Sequence, residues 1–323
     1  MAAHGSKVVI YAALVGNALI AVTKFVAASI TGSSAMMSEG IHSLVDTGNQ
    51  GLLLYGLRRA AKPADARHPF GYGAELYFWA FVVAILIFAV GSGVSFYEGI
   101  HKIFDPHPIE SPYINYIVLA LAIVFEGVAW TIAYRSFEKT RGDRSLFAAV
   151  RQSKDPTVFT VLFEDTAAML GLVVAFVGIY LSSTFDLPWA DGAASIGIGV
   201  ILAAAAIFLA IETKGLLIGE AAAPDVVETI RKIVMATPTV SGMNELRTLH
   251  RGPEDILLAL SLDFEDNLTA GKVEEAIQSL ETAIRDQFPS VGRVFIEVQS
   301  RSGHEQSVLA EQQRLADPTP ADD

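Results

Sequence analysis

The chain has 323 residues, 52% hydrophobic and 18% charged, with a formal net charge of −12 and a mean hydropathy of +0.42, too apolar for an ordinary soluble domain of this size. The acidity lies late: 14 basic and 16 acidic residues in 1–218 leave −2, whereas 9 basic and 19 acidic in 219–323 leave −10. A net-negative chain without a long basic run argues against nucleic-acid binding, and the lack of cysteine removes disulfides, thiolate metal sites and thiol nucleophiles together.

A bilayer calls for about 20 mostly apolar residues per helix. Six stretches predict spans: Val8 to Ile30, Ser34 to Leu57, Tyr77 to Tyr97, Ile114 to Tyr134, Val158 to Tyr180 and Trp189 to Ile211. The first, about 23 residues long, runs through Thr31-Gly32-Ser33 into a second apolar helix, the pattern of a retained span rather than a cleaved signal. Span one carries Lys24. Span two carries Glu39, His42 and Asp46, whose i, i+3, i+7 spacing sets them along one helical stripe. Span four carries Glu126, span five Glu164 and Asp165, and span six starts beside Asp191.

The loops between spans are asymmetric. Arg58, Arg59, Lys62 and Arg67 follow span two, and Arg135, Lys139, Arg141, Arg144, Arg151 and Lys154 follow span four. Thr31 to Ser33 and Ser182 to Leu187 have no Lys or Arg, and the loop after span three has Lys102 alone. Positive loops stay cytoplasmic, so both termini are expected there.

After Ile218 the periodicity changes. Asp225 to Met235 predicts an amphipathic helix, Glu245 to Leu249 and Ile256 to Phe264 strands, Ala270 to Phe288 a longer helix and Arg293 to Val298 a strand. Gly252-Pro253 predicts a hairpin between the first two strands, and the α-β-β-α-β order a small ferredoxin-like sheet with helices on one face. The expected organisation is an α-helical membrane domain over 1–218, an α+β domain over 219–300 and a polar, disordered tail over 301–323.

An ionisable group inside a span is costly unless paired or hydrated, which makes these residues functional candidates. His42 and Asp46 are one turn apart, so an imidazole nitrogen and a carboxylate oxygen can meet one ion at about 2.0–2.2 Å. A tetrahedral divalent site needs about two more ligands. Glu164 and Asp165 are the other ionisable groups deep in a comparable span, which predicts that spans two and five are neighbours. Nitrogen plus carboxylate without thiolate suits Zn²⁺, and Mn²⁺, Fe²⁺ or Co²⁺ can use it too. The plainer reading makes His42 a helix-contact donor and the acids protonated packing residues, but five such groups on two helices weigh against it. Lys24 can snorkel or pair with a carboxylate, Glu126 can carry a proton or hold a helix contact, and Asp191 is expected to complement its own helix dipole.

These residues resemble the cation diffusion facilitators, which are divalent-metal/proton antiporters. The resemblance rests on Asn17 and Lys24, Ser33-Ser34, His42-x-x-x-Asp46, Asp65-x-x-His68-Pro69-Phe70-Gly71, Tyr97-Glu98-Gly99-Ile100 and the α-β-β-α-β tail. The strings around Ser38–Ser43, Asp46–Gln50, His68–Gly73 and Glu164–Ala168 look most like the zinc transporter nine branch. Many members have His or Asp four residues before the span-five Asp, where this chain has Val161, so Glu164, Glu39 or water is left as the fourth ligand. Asp165 ranks above Glu164, which an ideal helix turns about 100° away. Tyr72 replaces a His of the loop metal site found in some bacterial relatives. The tail's zinc positions correspond to Ser261 and Glu297, with His250 and His304 nearby. The resemblance implies that the tail dimerises.

The function expected is therefore export of a divalent cation, most simply Zn²⁺, in exchange for protons, with His42, Asp46, Asp165, Glu164 and Glu39 as candidate metal ligands. His42 is the side chain that ordinarily titrates near neutrality. An intramembrane metal hydrolase would need a His-Glu-x-x-His pair or an equivalent base, which is absent. A scaffold whose spans merely anchor the acidic tail is the other alternative. With no targeting segment evident in the first seven residues, a bacterial inner membrane is the expected address.

Overall fold

The computed structural model describes residues 2–142 and 145–316. The chain divides into two compact units, one ending at Leu217 and the other starting at Ile218.

The first unit is helical: α1 (Ala2–Thr31), α2 (Ser34–Ala60), α3 (Glu75–Leu86), α4 (Gly93–Phe104), α5 (Pro112–Arg141), the short α6 (Leu146–Gln152), α7 (Pro156–Thr184) and α8 (Trp189–Ile218). A π-helical turn, Ile87–Ser92, joins α3 to α4 in one rod. Gly32 adopts φ +66° in the tight α1–α2 connection, a conformation open to glycine without steric cost. All six predicted spans lie within helices. Among the described residues four rods are long and apolar enough to cross a membrane: Glu75–Phe104, Pro112–Glu138, Pro156–Thr184 and Trp189–Ile218. α2 has 27 residues but a polar inner stripe that lowers its hydropathy, and Asn17–Thr31 of α1 is a further apolar helical stretch among the described residues.

α2 sits centrally, packed against α1, α3, α4 and α7, while α5 packs on α1 and α7. Small residues allow the closest approaches. Gly99 of α4 meets Gly192 of α8 so tightly that a Cβ on Gly99 would lie 2.7 Å from the Gly192 carbonyl oxygen. The outer side of α5 exposes Ile117, Leu121, Val124, Phe125, Val128 and Ile132, a face suited to lipid rather than water.

The second unit contains α9 (Pro224–Met235), β1 (Val240–Gly252), β2 (Asp255–Phe264), α10 (Ala270–Gln287), β3 (Val291–Val298) and α11 (Arg301–Ala316). The sheet order is β1-β2-β3, antiparallel between β1 and β2 and parallel between β2 and β3. Gly252 pairs with Asp255 across the hairpin. Ile256, Leu258, Leu260, Leu262 and Phe264 alternate onto the buried face, where they form one core with Ile230 and Val234 of α9 and Leu280 and Ile284 of α10. The tail differs from the expected disorder over Arg301–Ala316, which form α11. Its first turn is secured as Arg301 N donates to Asp263 Oδ2 at 3.2 Å and Gly303 N to Ser300 Oγ at 3.2 Å. Residues 317–323 lie outside the described residues.

Candidate metal site

The polar stripe of α2 faces inward: Ser38, Glu39, His42, Ser43, Asp46 and Asn49 are all buried. α7 packs on α2 and carries buried Thr160, Glu164 and Asp165, so the predicted proximity of spans two and five holds. α7 is capped by Asp155, whose Oδ1 accepts from the Thr157 amide at 2.9 Å, with Pro156 in the first turn.

Within the stripe, His42 Nδ1 lies 3.2 Å from Asp46 Oδ1 without hydrogen-bond alignment. Both ring nitrogens of His42, Asp46 Oδ1 and Asp165 Oδ2 are buried without a hydrogen-bond partner. Buried polar atoms are normally satisfied, so this concentration of nitrogen and carboxylate oxygen fits the donor set a dication seeks. Glu164 is held differently: Asn49 Nδ2 donates to its Oε1 at 2.5 Å, and its carboxyl comes within hydrogen-bonding reach of Asp46. Glu126 on α5 is near enough to act electrostatically on Asp46, Glu164 and Asp165. Among the described residues, however, no three His, Asp or Glu side chains are gathered as a metal-holding group.

Glu39 stands apart from that set. Lys24 Nζ reaches its Oε2 at 2.9 Å and Ser43 Oγ at 2.8 Å. The other Glu39 oxygen has no partner and abuts Gly171 of α7. On the opposite side of α7, Trp130 Nε1 donates to Thr166 Oγ1 at 3.0 Å, which fixes the helix beside Asp165.

Asp191 does not serve its own helix alone, as the sequence reading expected. It accepts from Ser33 Oγ at 2.6 Å, Ser34 N at 2.6 Å, Ser34 Oγ at 3.1 Å and Ala35 N at 3.4 Å. Its carboxylate therefore occupies the N-terminus of α2, where unpaired amides and the helix dipole favour an anion. Ser38 bonds Ser195 at 3.1 Å farther along the same α2–α8 contact, and Lys102 Nζ donates to Gly32 O at 2.7 Å. Asn49 and this distant partner for Asp191 escaped sequence reading, because a neutral amide in an apolar helix and a contact 157 residues away leave no periodic signal.

The first basic loop is satisfied internally. Tyr72 donates its hydroxyl to Asp65 Oδ2 at 2.7 Å, and the amides of Arg67 and His68 donate to Oδ1. The Tyr72 hydroxyl, then the His68 amide, hold the Asp65 carboxyl below the usual carboxylate range, and Asp65 raises the Tyr72 phenol. In the tail, Ser261 and Glu297 are partners across β2 and β3, whereas His250 Nδ1 lies 3.2 Å from Gly252 O and His304 Nδ1 3.2 Å from Gln299 Oε1.

Residues 10–218 match the family model described as the cation efflux transmembrane domain, and residues 222–301 that of the cation efflux protein cytoplasmic domain. A Xenopus laevis protein named proton-coupled zinc antiporter SLC30A9, mitochondrial, is 35% identical over 80% of this chain and 46% of its own length. The Homo sapiens protein of that name is 32% identical over 81% of this chain and 46% of its own length. A Cronobacter sakazakii protein named cation-efflux pump FieF is 29% identical over 88% of this chain and 89% of its own. The chain thus spans about half the length of the antiporter relatives and most of the bacterial one.

Proposed function

Because the chain belongs to the cation efflux family, we propose that its helical unit exports a divalent cation, Zn²⁺ ahead of Mn²⁺, Fe²⁺ or Co²⁺, from the cytoplasm in exchange for protons. The observation that carries this reading is the set of unpartnered atoms on His42, Asp46 and Asp165, buried on two packed helices. We assign these three residues as metal ligands, with Glu164 as the fourth and Glu39 as the counter-ion of Lys24. The carboxylates turn onto the ion as it arrives, which is how a set not gathered beforehand becomes a coordination shell.

Ligands must be deprotonated to bind a dication, so metal release and reprotonation are one linked event. Alternating access then requires helices to rock about the site while its ligands stay together. In this reading the six long rods of the first unit, α1, α2, α3–α4, α5, α7 and α8, cross the bilayer, both termini are cytoplasmic, and the membrane is a bacterial inner membrane. The names of the relatives support zinc, protons and a pump. The second unit is proposed as a dimerisation module, supported by Leu249 and Phe295 exposed on the sheet face away from α9 and α10.

Purified full chain in proteoliposomes tests the reading. Asp46→Ala and Asp165→Ala each abolish Zn²⁺-for-proton exchange if the assignment holds. Undiminished flux in both variants overturns it.

A further inference from the structure

Resting on the ligand set proposed above, we infer that Asn49 is a positioning residue that turns Glu164 into the metal site, where it supplies the ligand Val161 cannot. Asn49 follows Asp46 by three residues, so both project from one side of α2. Its side chain is fully buried, and its Nδ2 donates to Glu164 Oε1 at 2.5 Å. Asp46 reaches the same carboxyl. Glu164 is thereby gripped from α2 at two points about one turn apart.

That grip answers a geometric problem in α7. The helix is uninterrupted from Pro156 to Thr184, and a regular helix turns Glu164 about 100° from Asp165. Left to α7, the two carboxylates would face different neighbours. Val161 lies on the Asp165 side, one turn earlier, but offers methyl groups alone. A donor on α2 draws Glu164 toward the side where His42 and Asp46 already lie. An amide suits this task because it adds no charge to a site that must stay acidic enough to hold a dication. The other end of the amide, Oδ1, has no partner, so Nδ2 is the end committed to holding α7.

The test is a double-mutant cycle on initial Zn²⁺ uptake by the full chain in proteoliposomes. Asn49→Ala is expected to raise the half-saturating Zn²⁺ concentration about 10–100-fold, the range for residues that orient metal ligands, with a far smaller change in maximal rate. Glu164→Ala should do the same, and the double variant should be no worse than Glu164→Ala alone. Asn49→Gln, which keeps the donor, should recover part of the affinity. Additive effects in the double variant, or an unchanged half-saturation in Asn49→Ala, overturn the inference. If Asn49→Ala yields no folded protein, the same cycle with Asn49→Ser, read by Zn²⁺ calorimetry, decides it by the same criterion. Asp46→Ala separates the two levels. If it abolishes transport while the cycle is additive, the Asn49 role falls alone; if it transports normally, the ligand set falls as well.

Discussion

Lys24 Nζ and Glu39 Oε2 lie 2.9 Å apart, and neither side chain has any solvent exposure. Ser43 takes a second ammonium hydrogen, so the pair ties α1 to α2 within a region of low dielectric. Removing one charge leaves the other buried without a partner. Lys24→Ala or Glu39→Ala should cost about 3–5 kcal/mol, whereas the double variant Lys24→Met/Glu39→Leu should recover most of that loss. Thermal unfolding in detergent measures both. Zn²⁺ affinity unchanged in the double variant would agree with Glu39 lying outside the ligand set.

Asp191→Ala withdraws the acceptor from the Ser34 and Ala35 amides and from two serine hydroxyls. Each buried donor left unsatisfied costs about 1–3 kcal/mol. The variant should therefore unfold at clearly lower temperature, and Asp191→Asn, which retains one oxygen acceptor, should lose less. Equal melting of Asp191→Ala and the native chain would contradict the clamp.

At Gly99 an added methyl group would press on the backbone of Gly192 and Ile196, at 2.7 Å and 2.9 Å. Backbone cannot swing aside as a side chain can. Gly99→Ala should lower stability by about 1–3 kcal/mol. Gly127 in α5 has nothing within 4 Å of such a methyl group, so Gly127→Ala should be neutral or stabilising by up to about 1 kcal/mol through helix propensity. Paired unfolding curves check the contrast.

Val161→His places an imidazole one turn from Asp165, repeating on α7 the spacing of His42 and Asp46. Made in a Glu164→Ala background, it should restore much of the lost Zn²⁺ uptake. Failure to restore any uptake, with the protein folded, would deny that position 161 faces the site.

The loop pair gives a pH prediction outside the membrane spans. Asp65 is depressed relative to its ordinary value, so its interactions favour the folded loop above about pH 3.9 and are lost as pH falls through the lowered value. Tyr72→Phe deletes the largest cause. The Asp65 carboxyl should then titrate nearer its ordinary value, as carbon-13 NMR of labelled aspartate in nanodiscs would detect.

The six long helical rods and the α-β-β-α-β order were legible because apolar length and alternation are written locally: Val158 to Tyr180 lies within α7, and Ile256 to Phe264 within β2. The His42–Asp46 spacing was legible for the same reason, since one helical turn is a local fact. Partnerships across helices were not. Lys24 offered several fates until Glu39 was seen beside it. Asn49 gave no cue, because an amide's significance depends on what α7 sets opposite. Arg301–Ala316 read as disordered because exposed polar composition cannot distinguish a solvated helix from coil, whereas the bonds to Asp263 and Ser300 do.

The bond from Ser34 to Asp191 spans 157 residues, so a growing polypeptide makes α2 long before its anion exists. Before α8 is made, the first turn of α2 has the Ser33 cap on the Met36 amide but lacks the anion that takes the Ser34 and Ala35 amides. The start of α2 is therefore completed only by the last helix of this unit, a closure between distant parts of the sequence.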